Sequence, residues 1–306
     1  MDILDLHEEI KNLKFNGLTL NLDERVQLEA AIMKLQTTWR CEEMQFWGKI
    51  QGLQHDYFIV VGQYFSAQYE FPFKKFFWAL SKDFEFQEMP PLNDQHKDAI
   101  NQIISLFSGN PKKKLINLLP EGEEGQEAAA DEIPAEDGAE EGKQENLSDI
   151  SEEEEIKIPP KDLTELDRLV YVVYAIENDC CIAPAGAYKM TPTHQVRRNE
   201  AFRGLPNAQA HELRSYLHFR NVQDSDLKQE LDKPSAPFNP RFLEAIPEDS
   251  PVGVWTIQAD GSNTTVLLRN LLWPGYGFYH KAGTKKFGQM YIGDGIKNDE
   301  LHFMIQ

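Results

Sequence analysis

The period of apolar positions changes several times along the chain, and the changes mark its elements. Ile3, Leu6, Ile10 and Leu13 recur at helical spacing. Asn21 followed by Glu24 has the form of a capping box and predicts the start of a second helix. That helix carries Leu28, Ala31, Ile32 and Leu35 on one face, with Val26, Ala30 and Met33 beside them. A stripe this wide predicts burial on more than one side. Two apolar runs, 46–53 and 57–61, flank the polar Gln54-His55-Asp56 and predict a β-hairpin, with Phe76-Phe77-Trp78-Ala79-Leu80 as a third strand. After Pro90-Pro91, Ile100, Ile103, Ile104 and Phe107 fall at i, i+3, i+4 and i+7, which predicts a helix stopped by Gly109-Asn110-Pro111.

The second half echoes this order. The run 169–176, the polar Glu177-Asn178-Asp179 and the run 180–183 repeat the hairpin pattern. Leu205-Pro206-Asn207 then leads into a predicted helix holding Leu213, Tyr216 and Leu217. Near the end, three β-type runs (255–258, 264–268 and 288–292) are broken by glycines, and Trp273-Pro274-Gly275 forms a tight turn among large apolar groups. Asn263-Thr264-Thr265 reads as part of a hairpin turn. The expectation is an α+β protein in which duplicated hairpin, strand and helix units surround an antiparallel sheet. The C-terminal strands either complete that sheet or form a small one. The two parts, 1–111 and 161–306, are expected to build one composite domain around a linker at 112–160.

Composition changes this picture in one place. The formal net charge is −19, but sixteen acidic side chains and a single lysine lie in 121–155, so fifteen of those net charges fall there. The remainder is nearly neutral. Glu, Ala, Gly and Pro dominate residues 120–160 and aromatics are absent, so this stretch buries too little surface to offset chain entropy and is expected to be a disordered acidic insertion. Ser148 and Ser151 precede four consecutive glutamates at 152–155, which makes them candidate phosphorylation sites; plain solvation and spacing is the simpler role. The basic runs are short, which argues against nucleic acid as a partner. No apolar run is long enough to span a membrane. The three cysteines make no disulfide framework, and with the acidic N-terminus they point to a reducing compartment.

Candidate chemistry is sparse. Cys180-Cys181, read on a strand, point to opposite faces and cannot jointly grip one metal. Cys41 lacks a C-x-x-C partner. His211 and His218, seven apart on one expected helix face, have no acidic or cysteine ligand at a metal spacing. Gly275-Tyr276-Gly277 and Gly283-Thr284-Lys285-Lys286 lack the spacing of a phosphate loop, and Gly293-Asp294-Gly295 is too poor in oxygen ligands for a calcium loop. No catalytic, cofactor-binding or metal residue is assigned. What remains is a set of candidate packing or interface residues: Trp47, Trp255, Trp273, Pro274, Tyr276, Phe278 and Tyr279. Core packing is the simpler reading for most, but a turn closed by Pro274-Gly275 is not expected to bury every ring, and Trp and Tyr are enriched at interfaces.

Several of these residues fall in blocks that resemble one family. Phe46-Trp47-Gly48-Lys49-Ile50 with Gly52-Leu53 and Asp56-Tyr57, Ile182-Ala183-Pro184 with Gly186-Ala187, and Ser215-Tyr216-Leu217-His218-Phe219-Arg220 stand in order. A long block follows, from Trp255-Thr256-Ile257-Gln258 through Leu271-Leu272-Trp273-Pro274-Gly275 to Phe278-Tyr279-His280 and on through 295–298. Outside 112–160, the chain resembles the radial spoke head protein 9 family of motile cilia and flagella. The resemblance implies a structural subunit of the spoke head with neither cofactor nor active site. It implies an axonemal, cytoskeletal location and partnership with other head subunits: paralogues four and six, and further head and neck proteins. It also implies transient contact with central-pair projections, through which mechanical signals reach the dyneins. The acidic segment is longer than the family leads one to expect. Two other function classes stay open on the residues alone: a cytosolic acidic-tract chaperone for basic clients, and a hydrolase whose site is assembled from distant residues.

Overall fold

The computed structural model describes residues 6–14, 17–65, 71–92, 97–115, 163–231, 233 and 242–304. The acidic insertion, with Ser148 and Ser151, lies outside the described residues. Strands β1 (Glu43–Ile50), β2 (Tyr57–Tyr64), β3 (Phe73–Leu80) and β4 (Gln87–Glu88) form an antiparallel meander. Short strands β5 (Ile182–Pro184), β6 (Tyr188–Met190), β7 (Val196–Arg198) and β8 (Tyr216–His218) pair as β5·β8 and β6·β7. A second meander comprises β9 (Trp255–Ala259), β10 (Thr265–Asn270), β11 (Tyr276–Lys281) and β12 (Phe287–Gly293). The fold is α+β, as expected.

The two meanders share one eight-stranded sheet in the order β4-β3-β2-β1-β12-β11-β10-β9. The first runs from the centre to one edge; the second runs from the other edge back to the centre. Their junction, β1 against β12, is parallel, so the sheet is mixed rather than antiparallel throughout. Gly48 makes this junction possible, because a Cβ there would stand 2.2 Å from the Tyr291 carbonyl oxygen. A bulge between Phe46 and Gly48 sets the faces of β1. It lets Trp47 and Ile50, an odd number of residues apart, share one face.

Helices cover both faces. α1 (Leu6–Leu13) and α2 (Leu22–Thr38) pack Leu6, Ile10, Leu28, Ile32 and Leu35 onto Phe46, Phe58, Val60, Phe77, Tyr279 and Met290. The capping box at Asn21 is present, its N–H donating to Glu24 Oε2 at 2.8 Å. The expected burial of α2 on more than one side is not met among the described residues: Val26 and Met33 are exposed. On the opposite face of the sheet lies α4 (Glu165–Cys180), with Leu169, Val172, Val173 and Ile176 against Tyr57, Ile59, Phe76 and Tyr291.

This helix overturns the duplication. Residues 169–176, expected as a hairpin strand, are its middle two turns. Their buried positions recur at helical spacing, and Thr164 with Asp167 caps the start: Asp167 N–H donates to Thr164 Oγ1 at 3.3 Å, and Thr164 N–H donates to Asp167 Oδ2 at 3.0 Å. Two helices are also shorter than expected. α3 (Lys97–Asn101) ends before Ile103, leaving Ile104 exposed while Phe107 turns inward beside Tyr57. After Asn207, a four-residue helix, α5 (Asn207–Ala210), and a 3-10 turn give way to β8, so Tyr216 and Leu217 are strand residues. His211 and His218 therefore share no helix face. At the C-terminus, 255–258 and 288–292 fall within β9 and β12, and 264–268 overlaps β10 from Thr265 on; these strands complete the main sheet. Asn263 sits in the β9–β10 turn with φ of 52°. Among the described residues, no helix is long and apolar enough to cross a membrane.

The ends of the acidic insertion meet at a clasp. Leu115 N–H donates to the Leu163 carbonyl and Glu165 N–H to the Lys113 carbonyl, both at 2.9 Å, and Leu115 and Leu163 pack with Ile100. Replacing residues 116–162 with a linker of about six glycines and serines should leave the folded core intact. The unfolding free energy in urea should stay equal or rise by no more than about 2 kcal/mol, from the shorter loop to close; a clear fall would place part of the core within the insertion.

Candidate functional site

Six of the seven aromatic and turn residues singled out above are buried. Trp47, Trp255, Trp273, Tyr276, Phe278 and Tyr279 all lie in the core, and Pro274 alone is exposed. The expectation that the turn leaves a ring uncovered is therefore wrong. The turn succeeds because Gly275, at φ of 103°, packs its backbone against Ile292, where a Cβ would meet the carbonyl oxygen at 2.3 Å. This brings Trp273 under the main sheet before β11 begins. Asn270 holds the approach, its Oδ1 accepting from the N–H groups of Leu272 and Trp273.

Three of the buried tryptophans share one arrangement: each indole N–H donates to a carboxylate. Trp47 Nε1 donates to Glu177 Oε2 at 2.8 Å, Trp273 Nε1 to Asp179 Oδ2 at 2.9 Å, and Trp255 Nε1 to Asp249 Oδ2 at 2.7 Å. Asp249 also bonds His218 Nε2 at 2.8 Å, which ties β8 to β9. Glu177 lies near the end of α4 and Asp179 one residue before its last, so two of these bonds fix the helix to β1 and to the turn before β11. Residues read from sequence as a hairpin turn are in fact helix anchors.

At the other end of α4, Glu165 accepts from Tyr57 Oη at 2.8 Å, from the Ser108 hydroxyl at 2.6 Å and N–H at 3.0 Å, and from the Gly109 N–H at 2.8 Å. Burial opposes its charge, but the Ser108, Tyr57 and Gly109 donors outweigh that and hold the carboxyl below its ordinary value. Glu177 is treated the same way. Burial opposes ionisation, and the Lys74 ammonium together with the Trp47 indole reverses the balance. Lys74, from β3, is itself kept charged: burial works against it, and the Glu177 carboxylate beside it favours the ammonium. A buried ion pair of this kind costs little only because every partner is present.

None of these groups is set for chemistry. Cys180 ends α4 rather than lying on a strand, and both it and Cys181 are free thiols packed in core. Burial, then the Glu177 charge, pushes the Cys181 thiol up to about 12, so it is no thiolate nucleophile at neutral pH. Among the described residues, no three His, Cys, Asp or Glu side chains converge as metal ligands. A cleft of about 910 Å³ lies between α3, α4 and the 294–300 segment, where Pro274 reaches the surface beside Ile104, Tyr171 and Lys297.

Sequence reasoning missed Glu165, Glu177, Asp179, Asp249 and Lys74. One signal was available for Glu177 and Lys74: each is a charge set within or against an apolar run. Their partners lie about a hundred residues away in sequence and could not be read.

The chain matches the family model described as radial spokehead-like protein over residues 1–201. It is similar over its full length to radial spoke head protein 9 homologues. The Danio rerio protein is 30% identical over 310 residues, covering all of both chains. Those of Mus musculus and Homo sapiens are each 31% identical over 291 residues, covering 95% of both chains. The family model stops short of the 255–298 segment, and the full-length Danio rerio relative aligns through it.

Two outcomes test the anchors. Trp47→Phe keeps the ring but withdraws a donor from buried Glu177; urea unfolding should show a loss of about 1–3 kcal/mol, and Trp78→Phe, with no such bond to lose, should cost less. The second concerns His280, fully buried in β11. Its Nε2 accepts from Leu205 N–H and its Nδ1 donates to the Lys286 carbonyl, each at 3.2 Å. Burial lowers its pKa from 6.5 to about 4. The unfolded chain thus binds the proton first, so this contribution is complete above pH 6.5 and is lost as pH falls toward 4, by roughly 3 kcal/mol in all. Denaturation across pH 7 to 4.5 should show that slope in the native protein and a flatter one in His280→Gln.

Proposed function

The chain belongs to the radial spokehead-like protein family, and we propose that it is a non-catalytic structural subunit of the radial spoke head in the axoneme of cilia and flagella. The observation that carries this is similarity at about 30% identity running the length of both chains, which includes the C-terminal meander that completes the sheet. The interior supports it. Charged side chains that a chemical site would present to a substrate are here paired with tryptophan, tyrosine and lysine in the core, where they stiffen α4 against the sheet. Within the head, the partners are other head subunits, including paralogues four and six, with transient contact to central-pair projections. A stiff body suits the transmission of mechanical signals between them.

The test is extraction. A tagged copy replacing the native protein in ciliated cells should remain with axonemes after detergent washing and should sediment with the spokes once they are released by salt. Recovery of the bulk of the chain in the detergent supernatant would sink the reading and favour the acidic-tract chaperone.

A further inference from the structure

The second helix has two apolar faces, and the described residues cover one. On a wheel of about 100° per residue, Leu28, Ile32 and Leu35 cluster on the face buried against the sheet. Leu22, Val26, Ala30 and Met33 form a second stripe, spaced four, four and three residues apart, on the opposite side. Leu22 is 63% exposed, Val26 59% and Met33 48%, and Ala30 is exposed between them. Single exposed apolar residues need no explanation, but four in register along a 17-residue helix do. The sequence called for burial on two sides; the structure supplies it on one.

We propose that this stripe docks an amphipathic helix of a partner subunit, lying antiparallel to α2. Ala30 leaves a notch between Val26 and Met33, which takes a large apolar side chain at the middle of the partner's stripe. The flanking charges set its direction. Asp23 and Lys34 lie on the same flank of the stripe, about 20° apart on the wheel and some 16 Å apart along the axis. Neither holds an ion pair among the described residues. A partner with a cation in its last turn and a carboxylate in its first meets both, which is also the placement its own helix dipole favours. A second copy of α2 fits less well. Antiparallel self-pairing would match Asp23 with Lys34 but set Glu29 against its own copy near the axis. A helix about 26 Å long also buries far less than the ~800 Å² per side of a stable dimer. An occupant held by further contacts elsewhere fits, so the inference rests on the reading of the chain as a subunit of a larger assembly.

The experiment replaces the native protein in ciliated cells with the tagged full chain, with a Val26→Glu/Met33→Glu variant, and with chains carrying a photo-cross-linking residue at 26 or 33. The two substituted side chains already face solvent, so the purified variant should melt within about 3 °C of the unchanged chain. Its retention in washed axonemes should fall about tenfold or more. Cross-links from 26 and 33 should reach one segment of a different polypeptide, in reversed order, with apolar residues three and four apart. Retention of the variant at the unchanged level overturns the proposal, as do cross-links to a second copy, to another part of the same chain, or to a non-helical segment. Should the unchanged chain itself wash out, the spoke-head reading and this inference fall together; retention of both chains removes the inference alone.

Discussion

Two carboxylates buried at opposite ends of one helix hold this structure together. Glu165 and Glu177 stand twelve residues apart, about 18 Å along the axis, and each is bonded to a strand of the sheet. One is gripped by Tyr57 from β2 and the Ser108–Gly109 backbone, the other by Trp47 from β1 and Lys74 from β3. Apolar contact between helix and sheet is permissive in register; directional bonds at both ends are not. The helix is thus fixed along its axis as well as against the sheet. Everything attached to its C-terminal end inherits that position, including the short β5·β8 pair and, through Asp179, the turn that launches β11.

The local elements were legible wherever short-range chemistry decides them. The capping box at Asn21, the β1–β2 hairpin, and β9, β10 and β12 all follow from neighbours a few residues apart. Residues 169–176 were not legible as helix, because Val170, Tyr171, Val172, Val173 and Tyr174 are strong strand formers and a run of eight apolar residues satisfies either period. Tertiary cover decided it: a helix laid across the sheet buries Leu169, Val172, Val173 and Ile176 together and sends Glu165 and Glu177 to waiting donors. Thr164 with Asp167 was the overlooked local sign. The shortened α3 fails for the converse reason. Its period was sound, but Phe107 turns inward to pack against Tyr57 and Arg168 instead of extending the helix.

The aromatic C-terminal segment was legible as distinctive, and core packing was the simpler reading for most of its rings; the one ring expected to stay uncovered is buried too. Sequence shows that Trp273 and Tyr276 are large and amphipathic, which suits an interface or a core equally. What assigns them to the core is the supply of acceptors inside: Asp179 for one, Gln289 for the other, where the Tyr276 hydroxyl donates at 2.8 Å. The docking surface instead falls to a feature that sequence stated quietly, the second apolar stripe of α2, which became informative only once one side of that helix was seen to be left uncovered.

The order of the sheet has a consequence for synthesis. The parallel seam joins β1, the first strand to leave the ribosome, to β12, the last of the sheet's strands in chain order. Until β12 emerges, β1 presents an open edge at what will become the middle of the sheet, and the nascent first meander is half a layer with one flank unpaired. Such edges invite pairing with other chains. A chain cut shortly before residue 287 would keep most of its mass and lose the strand that seals it, so late premature termination should yield a sticky polypeptide rather than a smaller working subunit.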